Sequence, residues 1–301
     1  MEGPIVKISA PAKVNLFLKV VGKRPDGYHE LVSVMQALEL SDEIEVSRLT
    51  SGIEVSCGRQ GVPEGGGNIA YRAAEALLGA AGVSDGVSIH IKKNIPVAAG
   101  MGGGSSDAAA VLKAVGLLYG IGLPDARMRE LALALGADVP FFLSWPCSKA
   151  EGVGERLTEL APPGETWMVV INPGFEVPTR WVYENLNFRL TNIVNNITLP
   201  AFTGRAGKDG DAGLMASYLY NDLERVTEER HPLIREIKFR LTEKGALGSL
   251  MSGSGPTVFG IFPDRHAAAL AAEAVKEPGW TVAVTRTITA WPEATVASKN
   301  R

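Results

Sequence analysis

A strand, a glycine loop and a helix meet in the stretch Ile95-Pro96-Val97-Ala98-Ala99-Gly100-Met101-Gly102-Gly103-Gly104-Ser105-Ser106-Asp107-Ala108-Ala109-Ala110. Residues 86–91, just before it, alternate apolar and polar side chains as a half-buried strand does. The alanine-rich run after the glycines favours a helix, and Ser105, Ser106 and Asp107 are residue types that cap one. Because the unpaired N–H groups at a helix start attract anions, the stretch predicts a phosphate-binding loop.

Two common phosphate motifs do not fit this loop. The P-loop pattern requires a lysine after its last glycine, where this chain has Ser105. The dinucleotide pattern counted from Gly100 requires a glycine at that same position. The glycines alone leave a second interpretation of the loop open, namely a flexible connector that binds no ligand.

The longer pattern Pro-x3-Gly-x-Gly-Gly-Gly-Ser-Ser-x-Ala-Ala resembles the ATP-binding signature of the GHMP kinases. The resemblance implies that the chain binds ATP and Mg²⁺. It assigns these loop residues to ATP: Pro96, Gly100, Gly102, Gly103, Gly104, Ser105 and Ser106. It places Asn68 and Lys93 near the adenine, although Asn68 also suits the N-cap of the helix that follows it and Lys93 could be a plain charge at a strand end. No motif identifies the Mg²⁺ ligands, with Ser105 or Ser106 possible.

Composition narrows the classes of protein. The 301 residues are 46% hydrophobic and 21% charged, which argues against disorder and suggests about two domains. No apolar run approaches the ~20 residues of a membrane span, and the first residues lack a signal peptide's features, so we expect a cytoplasmic protein. A net charge of −3 without a basic block gives no support for nucleic-acid binding. Two cysteines, Cys57 and Cys147, are too few for a disulfide framework or metal cluster and are expected to be buried.

The amino terminus predicts two strands, 5–9 and 14–20, interrupted by Pro11. Taken alone, Lys13 would be a solvated charge at a strand edge. However, Pro-Ala-Lys-x-Asn-Leu-x-Leu resembles the first GHMP motif, in the form found in the diphosphocytidyl-methylerythritol kinases. This resemblance implies a catalytic role for Lys13 and substrate binding by Asn15.

Residues 25–27, Pro-Asp-Gly, predict a turn before the next strand at 31–38. Tyr28 and His29 follow this turn and could simply form a hairpin tip. Asp-Gly-Tyr-His resembles the cytidine-binding loop of the same kinases, in which the Tyr stacks on the base and the His contacts its polar edge. By register from Pro178-Thr179, Tyr183 falls where the resemblance to these kinases implies an aromatic ring opposite that of Tyr28, with plain packing as the alternative.

Asp138 lies in Gly-Ala-Asp-Val-Pro, residues 136–140, after a helix predicted over 125–135. Its simplest role is the N-cap of a short helix. The segment also resembles the one that supplies the catalytic aspartate of GHMP kinases. A carboxylate there can accept the proton of a substrate hydroxyl, and a neighbouring Lys13 would keep it ionised.

Residues 250–259 form another glycine loop, which resembles the third GHMP motif and implies substrate binding by Gly253 and Ser254. We call it the third glycine loop, after that motif, and the loop at residues 100–104 the first. The three motifs imply an α+β fold of two domains. The amino-terminal domain, 1–160, would resemble domain 2 of ribosomal protein S5, and the carboxy-terminal domain, 161–301, would be ferredoxin-like. The implied reaction is ATP-dependent phosphorylation of the 2-hydroxyl of a diphosphocytidyl-methylerythritol in the non-mevalonate route to isoprenoids.

Two alternatives stay open. One is a GHMP kinase for another small alcohol, such as homoserine or mevalonate. The other is a non-catalytic nucleotide-binding sensor, which would have no need of both Lys13 and Asp138. The sequence leaves a monomer and a homodimer open.

Three further segments carry structural predictions. Residues 44–46 and 53–56 are predicted to pair as strands, and residues 189–213 to form a loop or the edge of a lid. Residues 221–224, Asn-Asp-Leu-Glu, are predicted to lie in a helix and to serve packing.

Overall fold

A computed structural model describes residues 4–59, 61–186 and 212–298, and they form two β-sheets with helices. The strands are β1 Pro4–Lys23, β2 His29–Leu49, β3 Ile53–Cys57, β4 Gly86–Lys92, β5 Cys147–Gly152, β6 Arg156–Glu159, β7 Trp167–Asn172, β8 Tyr220–Asn221, β9 Gly248–Met251, β10 Val258–Phe262, β11 Thr281–Arg286 and β12 Thr295–Ser298. The α-helices are α1 Ile69–Ala81, α2 Gly103–Tyr119, α3 Asp125–Leu135, α4 Thr179–Glu184, α5 Ala212–Ser217, α6 Glu224–Arg230, α7 Leu233–Glu243 and α8 Arg265–Ala274.

The first sheet has the strand order β12-β1-β2-β4-β3. Strand β2 is long enough to serve two neighbours, since its first half pairs with β5 and its second half with β4. Helices α1, α2 and α3 share a hydrophobic core with this sheet. Strand β8 runs parallel to β1 at residues 17–18, so the sheet includes strands from late in the chain.

The second sheet has the order β11-β7-β10-β9, and every neighbouring pair is antiparallel. The connection from β10 through α8 to β11 places these two strands on either side of β7. Helix α7 buries Ile234, Ile237 and Leu241, which share one face at i, i+3 and i+7, against this sheet. A third core lies between the two sheets and joins residues such as Leu16 and Leu38 to Phe259.

The two strands predicted at the amino terminus form a single strand in the structure, β1. Strand β1 continues through Pro11, and its register against β2 shifts between Pro11 and Lys13. Proline has no N–H to donate to a ladder, so it is tolerated at such an irregularity. The prediction of two strands was therefore wrong.

Two other predictions were also wrong. Strand β3 pairs in parallel with β4, and β2 pairs with the other edge of β4, so residues 44–46 and 53–56 do not pair with each other. Residues 221–224 are divided between β8 and the start of α6, rather than lying in one helix. The segment predicted as a loop or lid edge, 189–213, lies outside the described residues except for its last two, which begin α5.

Candidate active site

A cleft of about 970 Å³ is lined by residues from both halves of the chain. It gathers both predicted catalytic residues, all the predicted substrate-binding residues and part of the glycine loop. The predicted residues that line it are Lys13, Asn15, Tyr28, His29, Gly100, Gly102, Ser105, Asp138, Tyr183, Gly253 and Ser254. The structure thus brings together residues that are as far apart in the sequence as Lys13 and Ser254, which are separated by 241 positions.

Lys13 is buried at the register shift of β1, and it is only 4% exposed. Its backbone N–H donates to the carbonyl of Met101 at 2.9 Å, which ties the first motif to the glycine loop. Its ammonium donates to Asn15 Oδ1 at 2.7 Å and lies 3.4 Å from Asp138 Oδ2. The ammonium of Lys13 is therefore buried and held in place by specific partners in the cleft, and the interpretation of Lys13 as a solvated charge at a strand edge was wrong.

Asp138 stands at the N-cap position of a short 3₁₀ helix, Val139–Leu143, but its side chain makes no capping hydrogen bond. The simple capping interpretation was therefore wrong. The side chain is 38% exposed and faces the ammonium of Lys13. An ionised carboxylate in this position has lone pairs available for the proton of a bound hydroxyl.

Helix α2 begins at Gly103, with Gly102 as its N-cap in the left-handed conformation and no side-chain capping bond. Ser105, Ser106 and Asp107 lie inside the first turns, so the prediction that they cap the helix was wrong. The first hydrogen bond of the helix is donated by the N–H of Ser106 to the Gly102 carbonyl at 2.8 Å. The N–H groups of the helix residues before Ser106 therefore lie outside the hydrogen-bond pattern of the helix. An anion could bind them, as the sequence predicts.

The base of the glycine loop contains a buried ionic cluster formed by Asp42, Lys93 and Asp107. The Lys93 ammonium contacts Asp42 and lies 2.7 Å from Asp107 Oδ2. Asp42 Oδ1 also accepts the N–H groups of Asn94 at 2.6 Å and Ile95 at 2.8 Å. The cluster therefore ties the strand end before the loop to the helix after it.

Burial raises the pKa of Asp107 to about 7; the negative charge of Asp42 adds to this rise and the Lys93 ammonium opposes it. Sequence reasoning missed Asp42, because it lies 51 residues before Lys93 and has no local motif. Lys93 is only 5% exposed, enclosed by the two carboxylates, so it is not a plain charge at a strand end. Its predicted contact with adenine stays a prediction.

Asn68 caps α1 as predicted: its Oδ1 accepts the N–H of Ala70 at 2.8 Å. A side chain at Gly104 would lie 3.6 Å from Ile69, so the start of α1 is close to the glycine loop. Among the described residues, six of those predicted to contact ATP lie outside the lining of the cleft: Asn68, Lys93, Pro96, Gly103, Gly104 and Ser106.

The third glycine loop packs directly against the first. Gly100 has φ +73°, and a Cβ there would lie 2.5 Å from the carbonyl oxygen of Ser252. The Ser252 hydroxyl donates to the Gly100 carbonyl at 3.0 Å and accepts the N–H of Asn15 at 3.4 Å. All three motifs therefore meet at this serine.

The segment 221–224 positions the third loop. The amide of Asn221 donates to the carbonyls of Met251 at 2.8 Å and Gly253 at 2.7 Å. Glu224 Oε2 accepts the N–H of Met251 at 2.7 Å. The predicted packing role is thus too weak a description, since these side chains fix the backbone of the loop.

Aromatic rings lie at one side of the cleft. The rings of His29 and Tyr183 are stacked with centroids 5.2 Å apart, and Tyr28 is 65% exposed in the adjoining turn. Burial lowers the pKa of His29, and nearby Lys23 lowers it further. Burial raises the pKa of Tyr183, and the charge of Asp138 adds to this rise. Both shifts favour the uncharged form of the ring near neutral pH.

Sequence reasoning missed other residues that line the cleft. They include Lys23, Ser33, Thr179 and Arg180. The hydroxyls of Thr179 and Ser254 are hydrogen-bonded at 2.8 Å, which joins the start of α4 to the third loop. These residues belong to no motif, and only the fold shows that they face the cleft.

Known proteins resemble this chain over most of its length. Residues 68–144 match the GHMP kinases N terminal domain and residues 199–279 match the GHMP kinases C terminal domain. The chain is 50% identical over 283 residues to a 4-diphosphocytidyl-2-C-methyl-D-erythritol kinase of Geobacter sulfurreducens, covering 93% of this chain and 98% of the relative. The chain belongs to the GHMP kinase family.

Solved structures of GHMP kinases share the fold. A crystal structure of a 4-(cytidine 5'-diphospho)-2C-methyl-D-erythritol kinase matches with a TM-score of 0.77 and 38% identity, over 93% of this chain and 98% of that one. A homoserine kinase from Cytophaga hutchinsonii matches with a TM-score of 0.73 over 99% of this chain and 98% of that one. At 18% identity, the second match shows the fold alone.

The GHMP kinase fold confirms the predicted α+β class. Among the described residues of this GHMP kinase, no helix combines the length and the apolar character needed to cross a membrane. No group of three or more His, Cys, Asp or Glu side chains within residues 4–59, 61–186 and 212–298 could hold a metal ion.

Proposed function

We propose that this GHMP kinase transfers the γ-phosphoryl group of ATP to the 2-hydroxyl of 4-diphosphocytidyl-2-C-methyl-D-erythritol. The observation that carries the proposal is the pair formed by Lys13 and Asp138, 3.4 Å apart in a cleft that has a glycine loop at one side and polar aromatic rings at another. The names of relatives at about 50% identity, which cover nearly the whole chain, support the same substrate.

Phosphoryl transfer depends mainly on positioning and on stabilisation of charge. The glycine loop and the start of α2 would bind the phosphates of ATP, with Gly100, Gly102 and Ser105 facing the cleft. Asp138 would accept the proton of the substrate hydroxyl, an effect typically worth about 10²–10⁴-fold in rate. Lys13, 3.4 Å from Asp138, would stabilise negative charge on the attacking oxygen.

Mg²⁺ fits this site only as an ion bound mainly by nucleotide phosphates and water, because the described residues contain no cluster of metal ligands. We infer Ser105 as its protein ligand, since Ser105 lines the cleft while the hydroxyl of Ser106 is buried away from it. When bound, Mg²⁺ neutralises phosphate charge. Asn68, Lys93, Pro96, Gly103, Gly104 and Ser106 would support the nucleotide from outside the lining.

The aromatic side of the cleft suits a pyrimidine. Tyr28 has an exposed ring on which a base can stack, and neutral His29 has one ring nitrogen that donates and one that accepts. Tyr183 holds the His29 ring by stacking. Asn15, Gly253 and Ser254 would contact the rest of the substrate. The domains would divide near residue 160, although β8 and β12 return to the first sheet.

The test is ATP consumption by the purified protein with the diphosphocytidyl substrate, with homoserine and mevalonate as separate controls. We expect turnover with the diphosphocytidyl substrate alone and a new phosphomonoester detected by ³¹P NMR. Turnover with homoserine or mevalonate would instead identify a GHMP kinase for another alcohol. A protein that binds ATP but phosphorylates none of the three alcohols would support the sensor hypothesis.

A further inference from the structure

Ser33 lies on β2 next to Asn15, whose amide oxygen accepts a hydrogen bond from Lys13, and it is not one of the residues of the three motifs. It is 1% exposed, and its hydroxyl lies 2.8 Å from the amide nitrogen of Asn15 and 2.7 Å from the carbonyl oxygen of Phe17. Asn15 is itself 4% exposed, so neither side chain can easily exchange these partners for water.

The directions of these hydrogen bonds follow from chemistry. The Lys13 ammonium has only donors, so the Asn15 atom at 2.7 Å from it must be the amide oxygen. The other end of the amide, the NH₂ group, then faces Ser33. The carbonyl of Phe17 has no proton, so it must receive the single proton of the Ser33 hydroxyl. The Ser33 oxygen is left as an acceptor for the NH₂ group.

These hydrogen bonds form a series, each with a fixed donor and acceptor, that runs from the backbone of β1 to the pair formed by Lys13 and Asp138. Phe17 orients the hydroxyl of Ser33, Ser33 orients the amide of Asn15, and Asn15 presents its oxygen to Lys13. A rotation of the amide by half a turn would place an NH₂ group against the ammonium, where two donors would face each other. Such an amide could not hold Lys13 beside Asp138.

We propose that Ser33 is a positioning residue for phosphoryl transfer, which sets the Asn15 amide so that its oxygen holds the Lys13 ammonium beside Asp138. This role rests on the proposed function. It acts on the geometry of the reacting groups rather than on nucleotide binding, because Ser33 contacts neither the first nor the third glycine loop through its side-chain hydrogen bonds among the described residues.

The first test compares variants of Ser33 that differ in the hydroxyl. Ser33→Ala should lower kcat by about 10- to 100-fold, the range expected for slight misplacement of reacting groups, with the KM for ATP unchanged. Ser33→Thr should recover most of that rate, while Ser33→Val, which matches threonine in volume, should not. Equal rates for the Thr and Val variants would overturn the proposal, since volume rather than the hydroxyl would then matter.

A double-mutant cycle tests whether Ser33 acts through Asn15. In the Asn15→Ala background the amide is gone, so Ser33→Ala should change kcat by less than about twofold. The same fold loss in both backgrounds would overturn the proposal. The same four proteins should show non-additive shifts in Tm, with a smaller shift for Ser33→Ala when Asn15 is absent.

The two readouts separate two kinds of failure. If the wild-type chain phosphorylates no diphosphocytidyl substrate, the proposed function fails, and the Tm cycle still tests the contact between Ser33 and Asn15. Additive Tm shifts would overturn that contact whatever the substrate is.

Discussion

Substitution of Gly100 by alanine should disrupt the contact between the first and third glycine loops. Gly100 has φ +73°, and a Cβ would lie 2.5 Å from the Ser252 carbonyl oxygen and 3.0 Å from that of Gly255. The left-handed conformation costs an alanine about 1–2 kcal/mol. Overpacking against a backbone that cannot rotate away adds about 1–3 kcal/mol. The total loss of stability should be about 2–5 kcal/mol.

Gly120 provides the matched control. It caps the other end of α2 with φ +65°, and a Cβ there would meet no atom within 4 Å. Gly120→Ala therefore carries the same conformational strain and the same loss of freedom in the unfolded chain, but no clash. The difference between the two variants, about 1–3 kcal/mol, isolates the contact between the loops.

Urea unfolding of the two variants measures this difference, and steady-state kinetics measures its consequence. We expect Gly100→Ala to lose more stability than Gly120→Ala and to lower kcat/KM by at least about tenfold, since displaced reacting groups are that costly. Gly120→Ala should keep the wild-type kcat/KM. Equal losses of stability and activity in the two variants would refute the packing of the two loops.

Three further predictions concern charge, pH and the aromatic side of the cleft. Lys93→Met should lose about 3–5 kcal/mol of stability in urea unfolding, because it leaves two buried carboxylates without a cation. Lys92→Met, which removes an exposed ion pair with Glu43, should lose far less, and similar losses in the two variants would contradict the buried cluster. Burial lowers the pKa of Lys113 from 10.5 to about 8, so the unfolded chain binds a proton between these pH values that the folded chain lacks. The contribution of Lys113 to the free energy of unfolding should therefore rise with pH across that window and be constant below it. Lys113→Met should remove this rise. If the free energy of unfolding depends on pH equally in the variant and the wild type, the burial of the Lys113 ammonium is contradicted. Tyr28→Ala should raise the KM for the diphosphocytidyl substrate and leave the KM for ATP and the Tm unchanged, because Tyr28 is 65% exposed. Phe239→Ala, at a 62% exposed residue of α7, should alter neither KM. An unchanged substrate KM for Tyr28→Ala would contradict stacking of the base on Tyr28.

The parts of the site predicted from sequence are those encoded in short contiguous motifs. The glycine loop is predictable because glycines, a preceding strand and an alanine-rich helix follow one another directly. Lys13 and Asp138 are predictable only through the family resemblance, since each residue also had a simple local explanation. The structure removes both simple explanations, because Lys13 is buried and Asp138 makes no capping bond.

The parts that sequence reasoning missed depend on contacts between distant segments. Asp42 joins the glycine loop to its helix through Lys93, 51 residues later, and nothing near Asp42 indicates this. Asn221 contacts the third loop from β8, which pairs with the distant strand β1. The path of β1 through Pro11 was missed for a similar reason, because the register shift that accommodates proline is a property of the pair of strands.

The role of Asp138 as proton acceptor is tested most directly by the rate of phosphoryl transfer in Asp138→Asn, measured in a single turnover, together with the affinity of this variant for ATP. Asparagine keeps the shape of the side chain but cannot accept the hydroxyl proton. We expect ATP to bind with unchanged affinity and the transfer rate to fall by about 10²–10⁴-fold. Transfer at close to the wild-type rate would contradict the assignment of Asp138 as the proton acceptor, and with it the role of Lys13 beside it.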